Sequence, residues 1–241
     1  MLRTQAFLAL RPIPSLIMQR SLRNKVLPSF LSLFGNVGVS KQEVDPGNVK
    51  GTVPFQNIHP YPPTVGTSLK ILKYPHPQLR AENTLITEFN DELKQNAQEM
   101  LLIMYAADGV GLAAPQVGIN KRLMVFNEVG DRIQKEKEMI LVNPIILSKS
   151  QETDVQEEGC LSFPQINGNV ERSLWIEVEY QTLSGETKRV KFEGFPARIF
   201  QHEYDHLDKV LFIDRFVPID RKMNQKRLDK YVKRFGPGAA P

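Results

Sequence analysis

The sequence predicts an α+β fold in which antiparallel or mixed β-sheets pack around one central metal-binding helix. Strand-like segments occupy the middle of the chain and lead into a helix, without the regular strand–helix alternation that builds a parallel sheet. Within that helix, residues 201–208 read Gln-His-Glu-Tyr-Asp-His-Leu-Asp. At about 100° per residue, His202 and His206 lie on one face, whereas Phe200 and Leu207 lie on the other. The helix is therefore expected to be internal, with both imidazoles on one side.

The two histidines and the chain's one cysteine are candidate metal ligands. Imidazoles one helical turn apart can share a cation, and a catalytic metal centre usually has three protein ligands and an open position. Cys160 lies in Glu158-Gly159-Cys160-Leu161-Ser162, and its thiolate would be a strong third ligand. A lone cysteine is more often an inert buried side chain, and helical histidines can simply line a core. The spacing alone leaves both interpretations open.

The first 66 residues are predicted to be a transit peptide and a linker. Residues 1–42 contain six Lys and Arg side chains, several serines and no Asp or Glu, which is typical of an organelle transit peptide. A disordered basic tail would look similar, whereas Arg11 and Pro12 interrupt the apolar run of a secretory signal. Residues 43–66 are rich in Pro and Gly, as linkers are. The expected location is a plastid or a mitochondrion.

The remaining chain is expected to form one domain at 67–235, followed by a tail at 236–241. With one cysteine there is no internal disulfide. No apolar run approaches the roughly 20 residues of a membrane span. Neither a membrane nor DNA is an expected partner.

The first half of this domain contains one clear helix and a glycine-rich loop. A short strand is expected at 69–72. Apolar residues recur every three or four positions from 88 to 107, which predicts an amphipathic helix ending at Asp108-Gly109. Residues 109–118 read Gly-Val-Gly-Leu-Ala-Ala-Pro-Gln-Val-Gly. Glycines allow the backbone to approach a ligand closely, although a tight turn between two elements explains the same residues.

The second half is predicted to alternate strands and turns before its two helices. Apolar or alternating segments predict strands at 123–126, 139–147, 174–181 and 187–192, with a turn at Ser184-Gly185. Pro196 is expected in the first turn of the central helix. Met223, Leu228, Tyr231 and Val232 predict a last helix that ends at 236–238.

Three segments together resemble the peptide deformylase family. They are Gly109-Val-Gly-Leu-Ala-Ala-Pro-Gln116, Glu158-Gly-Cys-Leu-Ser162 and Gln201-His-Glu-Tyr-Asp-His-Leu207. The three motifs occur in the family's order, and the resemblance covers residues 67–216. It implies a metal-dependent hydrolase that removes the formyl group from formyl-methionine at the start of nascent polypeptides, releasing formate.

The resemblance also implies the metal centre and its general acid/base. Cys160, His202 and His206 correspond to the family's ligands for one divalent ion, which is usually Fe2+, with Zn2+ as an alternative. Glu203 corresponds to the general acid/base, which assists a metal-activated water in attacking the formyl carbon and then protonates the leaving amine.

Further residues are assigned to the oxyanion and to the substrate. By resemblance, the Gln116 side chain and the Leu161 backbone N–H stabilise the oxyanion. The remaining candidates are predicted to contact the formyl-methionine: Val110, Gly111, Gly159 and Ile199. Arg198, in the same turn as Ile199, is expected to pair with an acid instead.

Two positions depart from the family's pattern. Lys209 stands where a glycine commonly follows the histidine motif, and Asn167 stands where many bacterial members have an arginine near the substrate backbone. The substitution at 167 leaves the contact to the peptide backbone unassigned.

The charge distribution suggests a further partner and leaves two other functions open. Residues 220–241 are basic, whereas residues 43–219 are acidic on balance, so the last helix is a candidate for docking on an organellar ribosome. A solvated basic helix is the simpler explanation. A zincin-like peptidase would not need Cys160, and a ribosome-associated binding module would not need a metal.

Overall fold

The computed structural model describes residues 68–241, and the predicted transit peptide and linker at 1–66 lie outside the described residues. Within this range the helices are α1 (Asp91–Ala106), α2 (Phe195–Leu207) and α3 (Pro218–Phe235). The strands are β1 (Gly111–Ala113), β2 (Leu123–Asn127), β3 (Glu138–Lys149), β4 (Thr153–Gly159), β5 (Asn167–Ser173), β6 (Trp175–Gln181) and β7 (Thr187–Glu193). None of these helices is both long enough and apolar enough to cross a bilayer.

The strands form two separate antiparallel sheets. Five of them pair in the order β1-β2-β3-β6-β7, and β4 and β5 form a hairpin of their own. Every neighbouring pair is antiparallel. The α+β prediction is therefore confirmed, and the helices pack on these sheets instead of alternating with their strands.

Helix α2 is internal, as its periodicity predicts. It begins after Gly194, whose φ of 62° a glycine adopts without a steric penalty, and Pro196 lies in its first turn. Phe200 and Leu207 on its apolar face are at most 2% exposed. They belong to a core formed with the larger sheet. The opposite face of α2 contacts the β4–β5 hairpin, where Glu158 lies 2.9 Å from His202 and Arg172 donates to Asp205.

Most predicted elements occur where the sequence places them. The amphipathic segment forms α1, capped by Asn90, whose Oδ1 accepts a hydrogen bond from Leu93 N–H at 3.0 Å. The four strands predicted in the second half of the domain are β2, β3, β6 and β7. The last helix ends at Gly236, whose φ is 82°.

Three segments differ from prediction. Residues 69–72 form no strand, because Leu72 N–H is bonded to the Gln116 carbonyl instead of to a neighbouring strand. The glycine-rich segment contains the short edge strand β1 and a 3-10 turn at Ala114–Val117. The β4–β5 hairpin was not predicted, because charged side chains take up inward positions that usually hold apolar ones.

Candidate metal centre

The end of β4 and one face of α2 bring the three predicted metal ligands together. His202 and His206 lie one turn apart, and their ring centroids are separated by 5.4 Å. Cys160 follows the last residue of β4 directly, and its Sγ lies 3.4 Å from His206 Nε2. The ligand atoms of all three residues lie within 4.8 Å of one another, and all three side chains are buried. This geometry can accommodate one ion.

The donor set fits a divalent transition metal. Two imidazole nitrogens and one thiolate are ligands that iron and zinc accept, and three protein ligands are typical of a catalytic centre. His202 Nδ1 lies 2.9 Å from Glu158 Oε2. This carboxylate fixes the ring orientation, so that Nε2 is the atom available to a metal.

The two histidines differ in their affinity for protons. Burial, followed by the positive charges of His202 and Arg172, lowers the pKa of His206 well below its ordinary value. Burial also opposes the charged form of His202, but Cys160 and Glu158 outweigh it and raise the pKa well above the ordinary value. Because metal ligands bind in their deprotonated forms, metal binding at this site is expected to depend on pH.

Glu203 follows the candidate ligand His202 directly in α2 and is 2% exposed. Among residues 68–241, its buried Oε2 has no hydrogen-bond partner. Burial raises the pKa of its carboxyl group to about 7. Strand β1 lies very close to this carboxylate. A Cβ atom at Gly111 would lie 2.5 Å from Glu203 Oε1 and 2.9 Å from Ile199 Cγ2. Only a glycine therefore allows β1 to lie this close to the carboxylate.

The Gln116 side chain is directed toward the same centre. It is 1% exposed, and its Oε1 accepts a hydrogen bond from Ala113 N–H at 2.8 Å. Its Nε2 donates to Cys160 Sγ at 3.4 Å and to Ser162 Oγ at 3.3 Å. The amide nitrogen therefore faces the candidate metal ligands. Leu161, the other predicted oxyanion donor, follows Cys160 in the same turn and is 5% exposed.

The predicted substrate contacts lie in different environments. Gly111 lies close to both Glu203 and Ile199, and Ile199 is fully buried. Gly159 is buried at the end of β4, opposite Asn167. Val110 is partly buried, and its carbonyl accepts a hydrogen bond from Asn127 N–H at 2.8 Å. Their contacts with formyl-methionine remain predictions.

A buried network of charges supports the histidine face of α2, and most of it was not predicted. Glu158 accepts hydrogen bonds from Arg172 Nε and Nη2, both at 2.9 Å, and from Arg198 Nη1 at 2.7 Å. Arg172 also donates to Asp205 on α2 at 2.5 Å. The expectation that Arg198 pairs with an acid is confirmed, because it contacts both Glu158 and Asp154.

The sequence contains only a weak signal for this network. Glu158 lies within the cysteine motif and Asp205 within the histidine motif, so each could have been suspected of orienting a ligand. Arg172 lies near the end of β5, with no motif around it. Its role appears only when the hairpin is folded over α2.

Comparison with known proteins agrees with this site. Residues 68–222 match the family model for polypeptide deformylase. The chloroplastic peptide deformylase 1B of Oryza sativa is 49% identical over 147 residues, which cover 61% of this chain and 54% of that protein. The peptide deformylase of Thermotoga neapolitana is 46% identical over 157 residues, covering 65% of this chain and 92% of that protein. The matched part thus spans about half the length of the rice relative.

Solved structures show the same similarity in three dimensions. A crystal structure of plant peptide deformylase 1B has a TM-score of 0.68 and 43% identity, covering 70% of this chain and 91% of that chain. A structure of the Plasmodium falciparum peptide deformylase has a TM-score of 0.67 and 40% identity, covering 69% and 96%. Both the family match and the folds agree over the segment that carries the candidate metal centre. The chain therefore belongs to the polypeptide deformylase family.

Proposed function

We propose that this protein hydrolyses the N-terminal formamide of polypeptides that begin with formyl-methionine, producing formate and a free α-amine. The observation that carries the proposal is the position of Glu203 Oε2. Among residues 68–241 it is a buried acceptor without a partner, and it belongs to the residue that follows His202, one of the three clustered candidate ligands, in α2. Membership of the polypeptide deformylase family and the names of the rice and Thermotoga relatives support the same reaction.

Cys160, His202 and His206 would bind one divalent metal ion, with Fe2+ as our first choice and Zn2+ as the alternative. Such an ion polarises the formyl oxygen and lowers the pKa of a water molecule toward about 7. These ligands accept both ions. The intrinsic affinity rises from Fe2+ to Zn2+ at any such site, so the identity of the ligands alone does not say which ion is bound. Glu158 supports the site by orienting His202 through its Nδ1 atom.

Glu203 is the group that moves protons in the proposed reaction. An amide nitrogen is a poor leaving group as an anion, so a proton must reach it as the carbon–nitrogen bond breaks. The carboxylate first accepts a proton from the attacking water and then donates it to the departing nitrogen. Burial raises the pKa of this carboxyl group to about 7, and a general acid/base is most effective when its pKa is near the working pH. A cation at the adjacent ligands would lower this pKa.

Gln116 and Leu161 are proposed to stabilise the negative charge that develops on the formyl oxygen. Gln116 Nε2 is an N–H donor next to Cys160, and its orientation is set by the Ala113 bond to Oε1. A donor that is already oriented needs no reorganisation when charge develops. We assign the methionine side chain and adjacent backbone to four residues: Val110, Gly111, Gly159 and Ile199.

The test is formate release from formyl-Met-Ala-Ser by protein purified anaerobically, together with metal analysis. Glu203→Gln is expected to keep its metal and lose at least about 100-fold in kcat, because a carboxamide cannot relay the proton. Glu171→Gln, on an exposed position of β5, is the matched control and should retain wild-type kcat. Wild-type kcat in metal-loaded Glu203→Gln, or cleavage of internal peptide bonds without formate release, would contradict the proposal.

We also propose that residues 1–66 direct the protein to a plastid or mitochondrion. Residues 1–42 have no acidic side chain. The rice relative is named chloroplastic, and an Arabidopsis thaliana relative, 48% identical over 169 residues, is named chloroplastic/mitochondrial. Fusing residues 1–66 to a fluorescent protein should target it to one of these organelles. Diffuse cytosolic fluorescence would refute the assignment.

A further proposal is that the basic surface of α3 docks on ribosomal RNA near the nascent chain. Leu228 anchors α3 in the core at 1% exposure, so deleting the helix would disturb the fold. Three exposed lysines, Lys222, Lys226 and Lys230, can instead be replaced together by Gln. Ribosome co-sedimentation should then weaken, and its salt dependence should become shallower.

The matched control replaces three exposed lysines elsewhere: Lys70, Lys149 and Lys188. Equal co-sedimentation of both triple variants and the wild type would eliminate docking through α3.

A further inference from the structure

The backbone of residues 72–74 bonds to both loops that carry the predicted oxyanion donors. Leu72 N–H donates to the Gln116 carbonyl at 2.7 Å, and Tyr74 N–H donates to the Ser162 carbonyl at 2.9 Å. One short segment with no regular secondary structure thus joins the 3-10 turn at Ala114–Val117 to the turn that follows β4. The Gln116 side chain joins the same two loops through its bonds to Cys160 and Ser162.

Lys73, between these two residues, adds a charged contact. Its Nζ donates to the Leu161 carbonyl at 2.7 Å, in a part-buried position. A hydrogen bond from an ammonium group is stronger than one between neutral groups. Burial lowers the pKa of Lys73, whereas the nearby Cys160 raises it. The ammonium group therefore lies within electrostatic reach of the sulfur as well as in contact with the next residue.

This contact matters because two donors stabilise one oxygen only when their separation is fixed. Gln116 Nε2 and Leu161 N–H belong to loops 45 positions apart in the chain, so tertiary contacts must set that separation. A displacement of about 1 Å between catalytic groups can cost about 100-fold in rate. Of the three hydrogen bonds that residues 72–74 donate to these two loops, only the one from Lys73 comes from a side chain and can be removed by substitution.

We propose that Lys73 is a positioning residue, whose ammonium group fixes the Leu161 peptide relative to Gln116 so that both donors reach the same oxygen. This inference rests on the proposed deformylase function, and it extends that function to a residue outside the three motifs. Lys73 itself is assigned no contact with the substrate or the metal.

The first test compares Lys73→Met with Lys73→Arg in the full-length, metal-loaded protein. Lys73→Met keeps the length of the side chain without its charge, and it should lower kcat by about 10- to 100-fold with KM nearly unchanged. Lys73→Arg, which keeps a cationic donor, should recover most of that loss. Lys70→Met, at an exposed position on the same segment, is the matched control and should keep wild-type kcat.

A double-variant cycle separates positioning from simple destabilisation. If Lys73 acts through the pair of donors, the combined Lys73→Met and Gln116→Leu variant should lose less in kcat than the product of the two single losses. Independent effects would multiply. Metal content should remain at the wild-type level in all these variants. Multiplicative losses, a parallel fall in metal content, or wild-type kcat in Lys73→Met would overturn the inference.

Amide hydrogen exchange gives a readout that does not depend on catalysis. Lys73→Met should accelerate exchange in peptides covering residues 114–118 and 160–163, and Lys70→Met should not. If the wild-type protein released no formate, the proposed function would fail, and exchange alone would decide whether Lys73 holds the two loops together. Unchanged exchange in both loops would overturn that role as well.

Discussion

Replacing Glu158 by Gln tests the buried charge network that orients His202. The Glu158 side chain is 1% exposed, and each of its oxygens accepts two hydrogen bonds. Oε1 accepts from Arg172 Nε at 2.9 Å and from Arg198 Nη1 at 2.7 Å. Oε2 accepts from Arg172 Nη2 and lies beside His202 Nδ1, both at 2.9 Å. A carboxamide has only one oxygen, so either orientation loses two of these bonds and turns an NH2 group toward donors.

The expected cost follows from what remains paired. Removing one partner of a buried ion pair typically costs about 3–5 kcal/mol. Arg172 would still pair with Asp205, and Arg198 with Asp154. We therefore expect the lower end of that range, about 3 kcal/mol in the free energy of unfolding. Metal affinity should fall by about 10- to 100-fold, because His202 loses its anionic partner.

The same substitution should change how stability depends on pH. Burial favours the neutral form of Glu158, but Arg172 and His202 outweigh it and hold the pKa well below its ordinary value. A lowered pKa contributes stability above the unfolded value of about 4.3, and that contribution is lost as the pH falls toward the folded value. Wild-type stability should therefore decline below about pH 5, and the decline should be shallower in Glu158→Gln.

Urea unfolding, followed by the fluorescence of Trp175, the chain's one tryptophan, measures the free energy of unfolding and its dependence on pH. Metal titration measures the metal affinity. Glu171→Gln is the matched control, because its exposed carboxylate lies on the same hairpin and accepts a hydrogen bond from Thr153 Oγ1. A loss below about 1 kcal/mol, within the range of an ordinary surface pair, would refute the reasoning. So would unchanged metal affinity.

Three further substitutions test other parts of the site. Gln116→Leu should lower kcat by about 10² to 10³ with KM nearly unchanged; intact kcat with a raised KM would instead make Gln116 a ground-state binding residue. Gly111→Ala should destabilise the protein by about 1–3 kcal/mol and lower kcat, because its Cβ would displace the Glu203 carboxylate; wild-type values in urea unfolding and formate assays would contradict this. Lys209→Gly should raise the free energy of unfolding by about 0.5–1 kcal/mol, because Lys209 has a φ of 65°. If urea unfolding instead shows a lower free energy, the exposed ion pair between Lys209 and Glu82 contributes more than surface pairs usually do.

Local spacing predicted the parts of the molecule that depend on a single element. The positions of His202 and His206 on one face of α2 follow from the helical repeat, which is the same in any tertiary context. The amphipathic pattern of α1 and the apolar runs of β2 and β3 are equally local. At Lys209 the chain leaves α2 in a left-handed conformation, which a glycine adopts without a steric penalty.

Other features depended on which segments the fold brings together. The β4–β5 hairpin escaped prediction because Glu158 and Arg172 occupy buried positions, and burying charges is favourable only when partners such as Arg198 and Asp205 are already in place. Those partners lie on α2, so the sequence of the hairpin alone does not predict them.

The sequence by itself determined the family resemblance, the candidate ligands and the central helix, since each rests on short motifs whose residues lie a few positions apart. Only the tertiary structure decided that Gly111 makes room for the Glu203 carboxylate. It also decided that Lys73 meets Leu161, 88 residues further along the chain. Contacts between such distant residues depend on the packing of several elements at once. A sequence pattern records the period of each element but not the position in which that element packs against the others.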